Sequence, residues 1–247
     1  MLKVGDGEVG GENDGEVDFK LPEDILIRSN GEPIDAIVKS TYPSLLSHIG
    51  DGRYFQDRAI LAPTNEIVQG VNDYIMDMLP GDAVEFKSSD SICPDEDDIV
   101  NREDVYSVEF LNTIKASGIP NNIIRLKIGT PVMLPRNIDQ SEELCNGTRL
   151  IVTAIGKHVL EAKTIHGKNA GKKVFIPRMV LTPSDLTKFP IRFQRRQFPI
   201  SVCYAMTINK SQGQSLSHIG LYLPNPMFSH GQLYLYSLDI NLFAFIY

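Results

Sequence analysis

Residues 58–81, RAILAPTNEIVQGVNDYIMDMLPG, decide the fold class of this chain. AILAP (59–63) is a short apolar run that predicts a buried strand. The apolar residues that follow recur at helical spacing, Thr64 or Asn65 can cap the helix, and Pro80 with Gly81 predicts its end. A buried strand that runs directly into an amphipathic helix is half of a βαβ unit. The sequence therefore predicts an α/β fold with a parallel sheet.

The pattern of apolar and turn residues changes between Ile123 and Thr182, which predicts an insertion in that fold. Short β runs alternate there with turn residues, and five short strands in about 60 residues predict a small β-barrel. After it, QFPISVCYAM (197–206) resumes an apolar run and HIGLYLP (218–224) supplies another strand. We therefore expect a parallel sheet that is interrupted by the barrel and then completed.

Composition sets bounds on the class of protein. With 247 residues and 42% hydrophobic content the chain can bury a large core. No apolar run approaches the roughly 18 residues of a membrane span, and no secretory signal pattern is present. The cysteines and histidines lack disulfide or metal-ligand spacing, which predicts no metal site and a reducing compartment. We interpret His218 and His230 as structural residues. The three cysteines are Cys93, Cys145 and Cys203.

Charge is distributed unevenly along the chain. The formal net charge is −7, yet residues 157–214 hold eleven Lys or Arg and two acids, a local +9 that leaves −16 elsewhere. Such a basic patch is typical of phosphate-backbone binding, although a solvated lysine-rich face accounts for the count equally well. Residues 1–24 hold eight acids and five glycines and are interpreted as an acidic connecting segment. GDGEVG (5–10) matches a dinucleotide motif there but lacks the flanking strand and helix, so we reject it.

AMTINKSQGQS (205–215) concentrates polar groups around one glycine. The spacing predicts a short helix that ends at Gly213, with Ala205 and Ile208 buried. Thr207, Lys210, Ser211 and Gln214 then lie near one polar edge, where hydroxyls and an ammonium can donate to phosphate oxygens. The backbone at Gly213, with Gln212 beside it, can approach a second phosphate. A polar helix end with a glycine cap accounts for the same residues without a ligand.

Four stretches resemble the Pif-type (petite integration frequency) ATP-dependent DNA helicases, including their Helitron-like, plant-type members. AMTINKSQGQSL (205–216) is similar to their fifth conserved motif, and HIGLYLPNPMFSHGQLY (218–234) to the lead-in to the sixth. RAILAPTNEIVQGVNDYI (58–75) resembles the start of their second RecA-like domain. LKIGTPVMLPRNIDQSEELCNGTRLIV (126–152) resembles their inserted small barrel.

The resemblance implies the C-terminal half of such a helicase. Its parts are the acidic segment 1–24, a first part of the second RecA-like domain (25–122), the barrel (123–182), the return of that domain with the fifth motif (183–235), and an aberrant apolar tail (236–247). Such helicases move 5′ to 3′ on single-stranded DNA by closing two RecA-like domains over ATP and magnesium. The family's roles in DNA repair, recombination and telomere maintenance imply a nuclear location.

Residue roles also follow from the resemblance. Thr207 would contact the DNA backbone, with Asn209 where relatives often have histidine, and Lys210, Ser211, Gln212 and Gly213 would link the DNA groove to the nucleotide. Thr64 and Asn65 would hold another DNA phosphate at a helix N-terminus. Arg195 and Arg196 match a basic return strand, for which DNA binding and solvent exposure are both adequate reasons. For Arg136 and Asn137 we weigh bracing of the barrel against DNA contact and favour bracing.

The sequence also departs from the family. It has no phosphate loop G-x-x-x-x-G-K-[ST], and no visible aspartate pair for magnesium. Asp239 stands at the place of the arginine finger, so we predict no catalytic residue and no ATP hydrolysis by the chain alone. Single-stranded DNA and a first RecA-like domain supplied in trans are the expected partners. The tail INLFAFIY (240–247) suggests a truncated or misread gene. The alternatives to a helicase fragment are a non-catalytic nucleic-acid-binding module and an inert remnant.

Overall fold

The computed structural model describes residues 26–27, 31–93, 106–116, 118–183, 192–224 and 242–246. Within these residues lie four α-helices, α1 (Pro33–Thr41), α2 (Gly52–Gln56), α3 (Asn65–Met78) and α4 (Val108–Thr113), and two 3-10 helices (Leu45–His48 and Ile208–Ser211). The strands are β1 (Arg58–Ala62), β2 (Val84–Lys87), β3 (Ser89–Ile92), β4 (Ile123–Leu126), β5 (Pro131–Met133), β6 (Arg149–Ile155), β7 (Val159–Thr164), β8 (Lys173–Pro177), β9 (Met179–Leu181), β10 (Phe193–Gln197), β11 (Ser201–Val202), β12 (Ala205–Thr207), β13 (His218–Tyr222) and β14 (Leu242–Ile246).

The chain divides into two compact units. The parallel unit comprises the residues up to Ile49, Arg53–Leu79, and those from Tyr204 onward. The antiparallel unit comprises Gly50–Gly52 and Pro80–Cys203. No helix of the described residues is long and apolar enough to cross a membrane.

A four-stranded sheet forms the parallel unit, in the order β12-β1-β13-β14. All three strand pairs are parallel, and β1 lies between β12 and β13 with Ile60 opposite both Ala205 and Gly220. The α/β class and the interrupted, later completed parallel sheet are thereby confirmed. Strand β1 is buried from Ala59 to Ala62, as its uniformly apolar sequence predicts.

Helix α3 begins and ends where the sequence predicts. The Thr64 side chain accepts a hydrogen bond from the backbone N–H of Ile67 at 3.3 Å, which caps the first turn. The buried residues Val71, Ile75 and Met76 follow helical spacing and face the core. After the helix, Gly81 adopts a positive φ of 81°.

Helix α1 packs closely on β13 because of a glycine. A Cβ atom at Gly220 would lie 2.1 Å from Thr41 Oγ1 and 2.8 Å from Ile37 Cδ1. Both neighbours belong to buried residues, so neither can give way. Only glycine therefore allows this helix to approach the sheet.

An aromatic cluster fills the core of the parallel unit beside β12. The Tyr42 hydroxyl donates to the Tyr204 carbonyl at 2.5 Å, and Phe55 packs against both rings with centroids 5.9 and 5.6 Å away. Tyr54 joins the cluster and donates to the Pro43 carbonyl at 2.8 Å. Burial raises the pKa of Tyr54 to about 12 because the phenolate would lose its hydration.

The antiparallel unit contains three small sheets. Strands β11-β5-β6-β7-β8 form a five-stranded sheet, β3-β10-β9 a three-stranded one, and β2 pairs with β4. The predicted closed barrel is wrong for the described residues. The first predicted strand, β4, pairs with β2 from before the predicted barrel, and the edge strand β11 comes from after it. Pairing with these flanking strands therefore replaces closure of the five predicted strands on one another.

The units also differ from the predicted domain boundaries. The antiparallel unit spans Pro80–Cys203, wider than the predicted 123–182, because β2, β3, β10 and β11 pair within it. Residues 89–92 form β3, which pairs with β10. In the tail, residues 242–246 form β14, which pairs in parallel with β13. The acidic segment 1–24 lies outside the described residues.

Candidate nucleic-acid interface

The parallel unit brings two predicted phosphate-binding segments to the same sheet edge. Strand β1 ends at Ala62 and β12 ends at Thr207, and these two residues are register partners. The chain continues from Ala62 into Thr64 and the N-terminus of α3, and from Thr207 into a 3-10 helix over Ile208–Ser211. Ligands of open α/β sheets bind beyond the carboxyl ends of the strands. This edge is therefore the candidate interface, and we call it the carboxyl edge.

The 205–215 segment is part strand and part turn. Ala205–Thr207 form β12, and the predicted short helix is the 3-10 turn that follows. Gly213 has a φ of 78°, a left-handed conformation that favours glycine. Ala205 and Ile208 are buried, as predicted. The side chains that remain exposed are Asn209, Lys210, Gln212 and Ser215, while Thr207 and Gln214 are half-buried.

Ser211 does not share that exposure. Its side chain is buried, and its hydroxyl donates to the Ile208 carbonyl at 2.9 Å. The Ser211 carbonyl in turn accepts from the Gln214 N–H at 2.9 Å. The prediction that this hydroxyl lies at the polar edge is wrong, because the tight 3-10 turn directs it to the turn's own backbone.

The first turn of α3 supplies backbone donors at the carboxyl edge. Thr64 caps the N–H of Ile67, whereas the N–H groups of Asn65 and Glu66 point out of the helix end, where the helix gives them no acceptor. The helix dipole places partial positive charge there, which favours an anion. The exposed carboxylate of Glu66 occupies the same turn and reduces that potential.

Asn72 holds the two parts of the edge together. Its amide nitrogen donates to the Ala205 carbonyl at 3.1 Å, and its amide oxygen accepts from the Ala205 N–H at 2.8 Å. Since β12 is an edge strand, Asn72 takes the place of a neighbouring strand at this residue. Sequence reasoning missed this residue. The signal was a polar residue between Val71 and Ile75 on the apolar face of a helix.

Arg195 is not a surface residue. Its side chain is only 1% exposed and lies in the antiparallel unit, directly opposite Asp90 in the pairing of β10 with β3. Its Nη2 atom is 2.6 Å from Asp90 Oδ2. The remaining acceptors are the backbone carbonyls of Leu111, Ile114 and Pro120 at 2.9–3.1 Å. Both roles that the sequence suggests, DNA contact and solvent exposure, are therefore wrong for Arg195.

The neighbours of Arg195 follow strand alternation. Phe193, Arg195 and Gln197 are buried, while Arg196 between them is exposed. Gln197 donates from its amide nitrogen to the carbonyls of Phe86 at 2.8 Å and Asn122 at 2.9 Å. This strand is therefore an internal polar brace with one outward arginine, Arg196.

Arg136 and Asn137 also bond within the antiparallel unit. Arg136 donates to the Thr182 carbonyl, and the Asn137 side-chain oxygen accepts from the Asn146 N–H at 2.8 Å. These bonds favour the bracing interpretation of both residues. His218 lies in the parallel unit with its Nδ1 3.4 Å from Asp57 Oδ2, while His230 and Asp239 lie outside the described residues.

The described residues do not fit an ATP–magnesium centre by themselves. They contain no group of three or more His, Cys, Asp or Glu that could hold a metal ion. The full sequence has no phosphate loop whose amides would cradle the outer phosphates. We therefore derive no hydrolytic step from this chain.

Comparison with known proteins finds sequence similarity to DNA helicases. The family described as DNA helicase Pif1, 2B domain, matches residues 109–155, which lie in the antiparallel unit. The ATP-dependent DNA helicase PIF1 of Xenopus laevis is 28% identical over 177 residues, 68% of this chain and 23% of that protein. Over these residues the chain is similar to the Pif1 DNA helicases. Pif1 of Bdellovibrio bacteriovorus is 34% identical over 143 residues, 57% of this chain and 30% of that protein.

Solved Pif1 structures share the fold. The Pif1 helicase of Candida albicans matches with a TM-score of 0.56 and 21% identity, over 76% of this chain and 44% of that chain. Bacteroides Pif1 bound to ssDNA matches with a TM-score of 0.52 and 18% identity, over 87% of this chain and 49% of that chain. The chain therefore spans less than a third of these two curated Pif1 relatives and about half of these solved Pif1 chains.

Proposed function

We propose that this chain supplies the second RecA-like domain, with its 2B insert, of a Pif1-type 5′-to-3′ DNA helicase, and that its carboxyl edge contacts single-stranded DNA. The observation that carries the proposal is the register of Ala62 with Thr207. This pairing sets the α3 N-terminus and the 207–213 turn side by side, although about 140 residues separate them in the sequence. Two segments that resemble helicase motifs thus meet at one edge of a parallel sheet.

The chemistry of this edge suits a phosphate backbone. Asn209 and Lys210 are exposed donors on the turn, and Thr207 lies half-buried at its start. Thr64 and Asn65 present a helix N-terminus, whose amides and dipole favour anions. None of these groups is arranged to select a base, so we expect binding that depends weakly on sequence. Arg196 is a further exposed cation of the antiparallel unit, whereas buried Arg195 has no part in direct contact.

The same turn has a place in nucleotide binding. Gln212 and the open backbone at Gly213 are exposed beyond the 3-10 helix, next to Lys210. In the proposed assembly they face ATP held by a first RecA-like domain, which carries the phosphate loop and the magnesium ligands. Bound ATP with magnesium supplies the free energy for movement on DNA. Buried Ser211 acts there only by shaping the turn.

The cellular setting belongs to the same proposal. A Pif1-type helicase acts on DNA, so the proposal includes the nucleus and work in DNA repair, recombination and telomere maintenance. It also requires a first RecA-like domain as a partner of this chain, which the ATPase experiment below supplies in trans.

Binding of a fluorescent dT oligonucleotide tests the proposal. We expect the purified chain to bind it at low salt, with affinity that falls as salt rises because phosphate contacts release counterions. Fluorescence anisotropy over a salt series measures both quantities. An affinity that does not exceed background at low salt would remove the DNA-binding part of the proposal.

A second candidate function is a non-catalytic DNA-binding module, favoured by the lack of a phosphate loop in the sequence. An ATPase assay separates the two. We expect background turnover by the chain alone, and DNA-stimulated turnover when a Pif1 first RecA-like domain is added in trans. Unchanged turnover with that domain present would favour the binding module. An inert remnant would differ from both, because it would show no cooperative thermal transition.

A further inference from the structure

The hairpin of β7 and β8 exposes a large aromatic side chain on a sheet surface. Phe175 of β8 is 65% exposed, while its neighbours Val174 and Ile176 are buried in the core of the antiparallel unit. Strand alternation therefore places Lys173 and Pro177 on the same outer face as Phe175. Strand β8 is also the last strand of its sheet. An exposed phenyl ring at a sheet edge remains in unfavourable contact with water unless something covers it.

Strand β7 completes this face. Val159 and Lys163 are exposed, while Leu160 and Ala162 between them are buried. The pairing of the strands sets Val159 opposite Pro177, Glu161 opposite Phe175 and Lys163 opposite Lys173. The outer surface formed by Val159, Lys163, Lys173, Phe175 and Pro177 is called the hairpin face below. It has apolar groups at one end, Phe175 beside the Glu161 carboxylate in the middle, and the two ammonium groups at the other end.

The hairpin carries a strong positive charge in an acidic protein. Residues 157–177 contain five lysines and one acid, whereas the whole chain has a net charge of −7. The acid is Glu161, which accepts from the Thr153 hydroxyl at 2.7 Å and pairs with Lys173 at 3.1 Å. A second pair joins Lys172 to Glu142. The five lysines are Lys157, Lys163, Lys168, Lys172 and Lys173, and all are exposed.

The one carboxylate does not cancel this field. Hydrogen bonds from Thr153 and Lys173, with the nearby charge of Lys163, lower the pKa of Glu161 and keep it ionised at neutral pH. Its charge offsets that of one lysine and Glu142 offsets Lys172, so residues 157–177 together with Glu142 carry a net +3. A polyanion is therefore the complementary partner for this surface.

An aromatic ring among cations is the arrangement that binds single strands. Bases stack on the ring while lysines follow the phosphates, and this binding tolerates any sequence. A base pair inside a duplex is already stacked on both faces, so Phe175 can stack only on an unpaired base. We propose that the hairpin face is a second contact for single-stranded nucleic acid, in which Phe175 stacks on a base and Lys163 lies against the backbone. The class of ligand rests on the proposed function, whereas the place of the contact does not.

Two alternative roles of the hairpin face are outcomes of the test. Lysines on an edge strand prevent pairing with another sheet, which requires no ligand. A protein surface could equally cover the phenyl ring. Neither role requires a dependence of affinity on the presence of bases.

A comparison of strands with and without bases tests the proposal. We expect Phe175→Ala to weaken binding of a dT12 oligonucleotide about fivefold or more. On an abasic strand of equal length we expect the variant and the wild type to bind alike. The matched control is Phe110→Ala, which removes another exposed phenyl ring of the antiparallel unit and should leave dT12 binding unchanged. Thermal melting of all three proteins checks that they fold equally well.

The outcomes distinguish this contact from the carboxyl edge. A loss of affinity in Phe175→Ala that is confined to dT12 supports stacking, whereas an equal loss on both strands overturns it. Unchanged dT12 affinity in Phe175→Ala overturns the hairpin face and leaves the carboxyl edge standing if Asn209→Ala/Lys210→Ala is weakened. If Phe175→Ala weakens dT12 binding and Asn209→Ala/Lys210→Ala does not, the carboxyl edge is overturned as a DNA contact and the hairpin face is supported. Wild-type protein that binds no dT12 at low salt overturns both.

Discussion

Arg195 and Lys210 are both basic residues of a positively charged segment, yet one is buried and the other is exposed. Both are basic residues within the positive 157–214 segment, and both follow an apolar or strand-forming stretch. In the antiparallel unit, Arg195 is buried against Asp90 and three backbone carbonyls. In the parallel unit, Lys210 is exposed on a turn at the carboxyl edge. A count of charges along a sequence therefore does not give the charge of a surface.

The difference comes from the local backbone conformation of the two segments. Strand β10 alternates, so its position between Phe193 and Gln197 turns Arg195 inward. The 3-10 helix after β12 instead directs its third residue, Lys210, away from the sheet while Ile208 packs inside. The buried arginine is tolerated because it meets a carboxylate and several carbonyl acceptors. Four predictions test this contrast.

The largest expected effect is on stability, from Arg195→Met. Removal of the guanidinium leaves the buried Asp90 carboxylate without its partner, and breaking one side of a buried ion pair costs about 3–5 kcal/mol. Denaturant unfolding of the whole chain measures this loss. Arg196→Met is the matched control, because this neighbour is exposed and should change stability by less than about 0.5 kcal/mol. Equal effects of the two substitutions would contradict the contrast.

A smaller loss is expected from Asn72→Ala in the parallel unit. The substitution leaves the buried N–H and C=O groups of Ala205 without the amide that satisfies them, which costs about 2–3 kcal/mol. Thermal or denaturant unfolding measures it. Gln69→Ala, one turn earlier on the same helix, is the control and should cost less than about 0.5 kcal/mol. If Asn72→Ala proved as mild as its control, the amide would not hold β12 in place.

Substitution of the exposed residues around Lys210 should weaken DNA binding. Asn209→Ala/Lys210→Ala should lower affinity for single-stranded DNA about tenfold without a change in stability, because both side chains are exposed. Loss of one phosphate contact should also reduce the slope of log K against log salt by about 0.7. Lys39→Ala removes one exposed charge elsewhere in the parallel unit and serves as the control. A loss of the same size in Lys39→Ala would indicate a nonspecific charge effect.

The smallest effect is a pH dependence from a buried neutral group. Tyr54 has a pKa raised to about 12 from an ordinary 10, so folding favours its protonated form. Its contribution to stability is complete below pH 10 and is lost as pH rises from 10 to 12. We expect about 1 kcal/mol less stability at pH 11 than at pH 9, beyond any change shared with Tyr54→Phe. Parallel pH curves of the two proteins would contradict this assignment.

Local patterns predicted the elements of the fold well. Strand β1, helix α3 and strand β13 lie within one or two residues of their predicted places, because buried strands and amphipathic helices have short periods. The pairing of strands was harder to predict from the sequence. Strand β4 pairs with β2 and β10 with β3, and neither partner lies beside it in the sequence. For this reason the sequence predicts one barrel where the structure has three separate sheets.

The candidate site was predictable only in part. The carboxyl edge followed from a parallel sheet, since the ends of parallel strands meet there. The inward turn of Ser211 and the burial of Arg195 did not follow, because both depend on particular hydrogen-bond partners. The Arg195 partner, Asp90, lies 105 positions earlier in the sequence. Asn72 depends likewise on a backbone group 133 positions away.

The order of the sheet has a consequence for folding kinetics. Ile60 in β1 has its register partner Ala205 in β12, 145 positions later, and most of the antiparallel unit is synthesised between them. The central strand of the parallel unit therefore leaves the ribosome long before its neighbours exist. Pairings of such high contact order are slow, because the chain closes a long loop before any stabilising contact forms. The nascent parallel unit thus passes through a stage in which its buried inner strand β1 has not yet met either of its neighbouring strands.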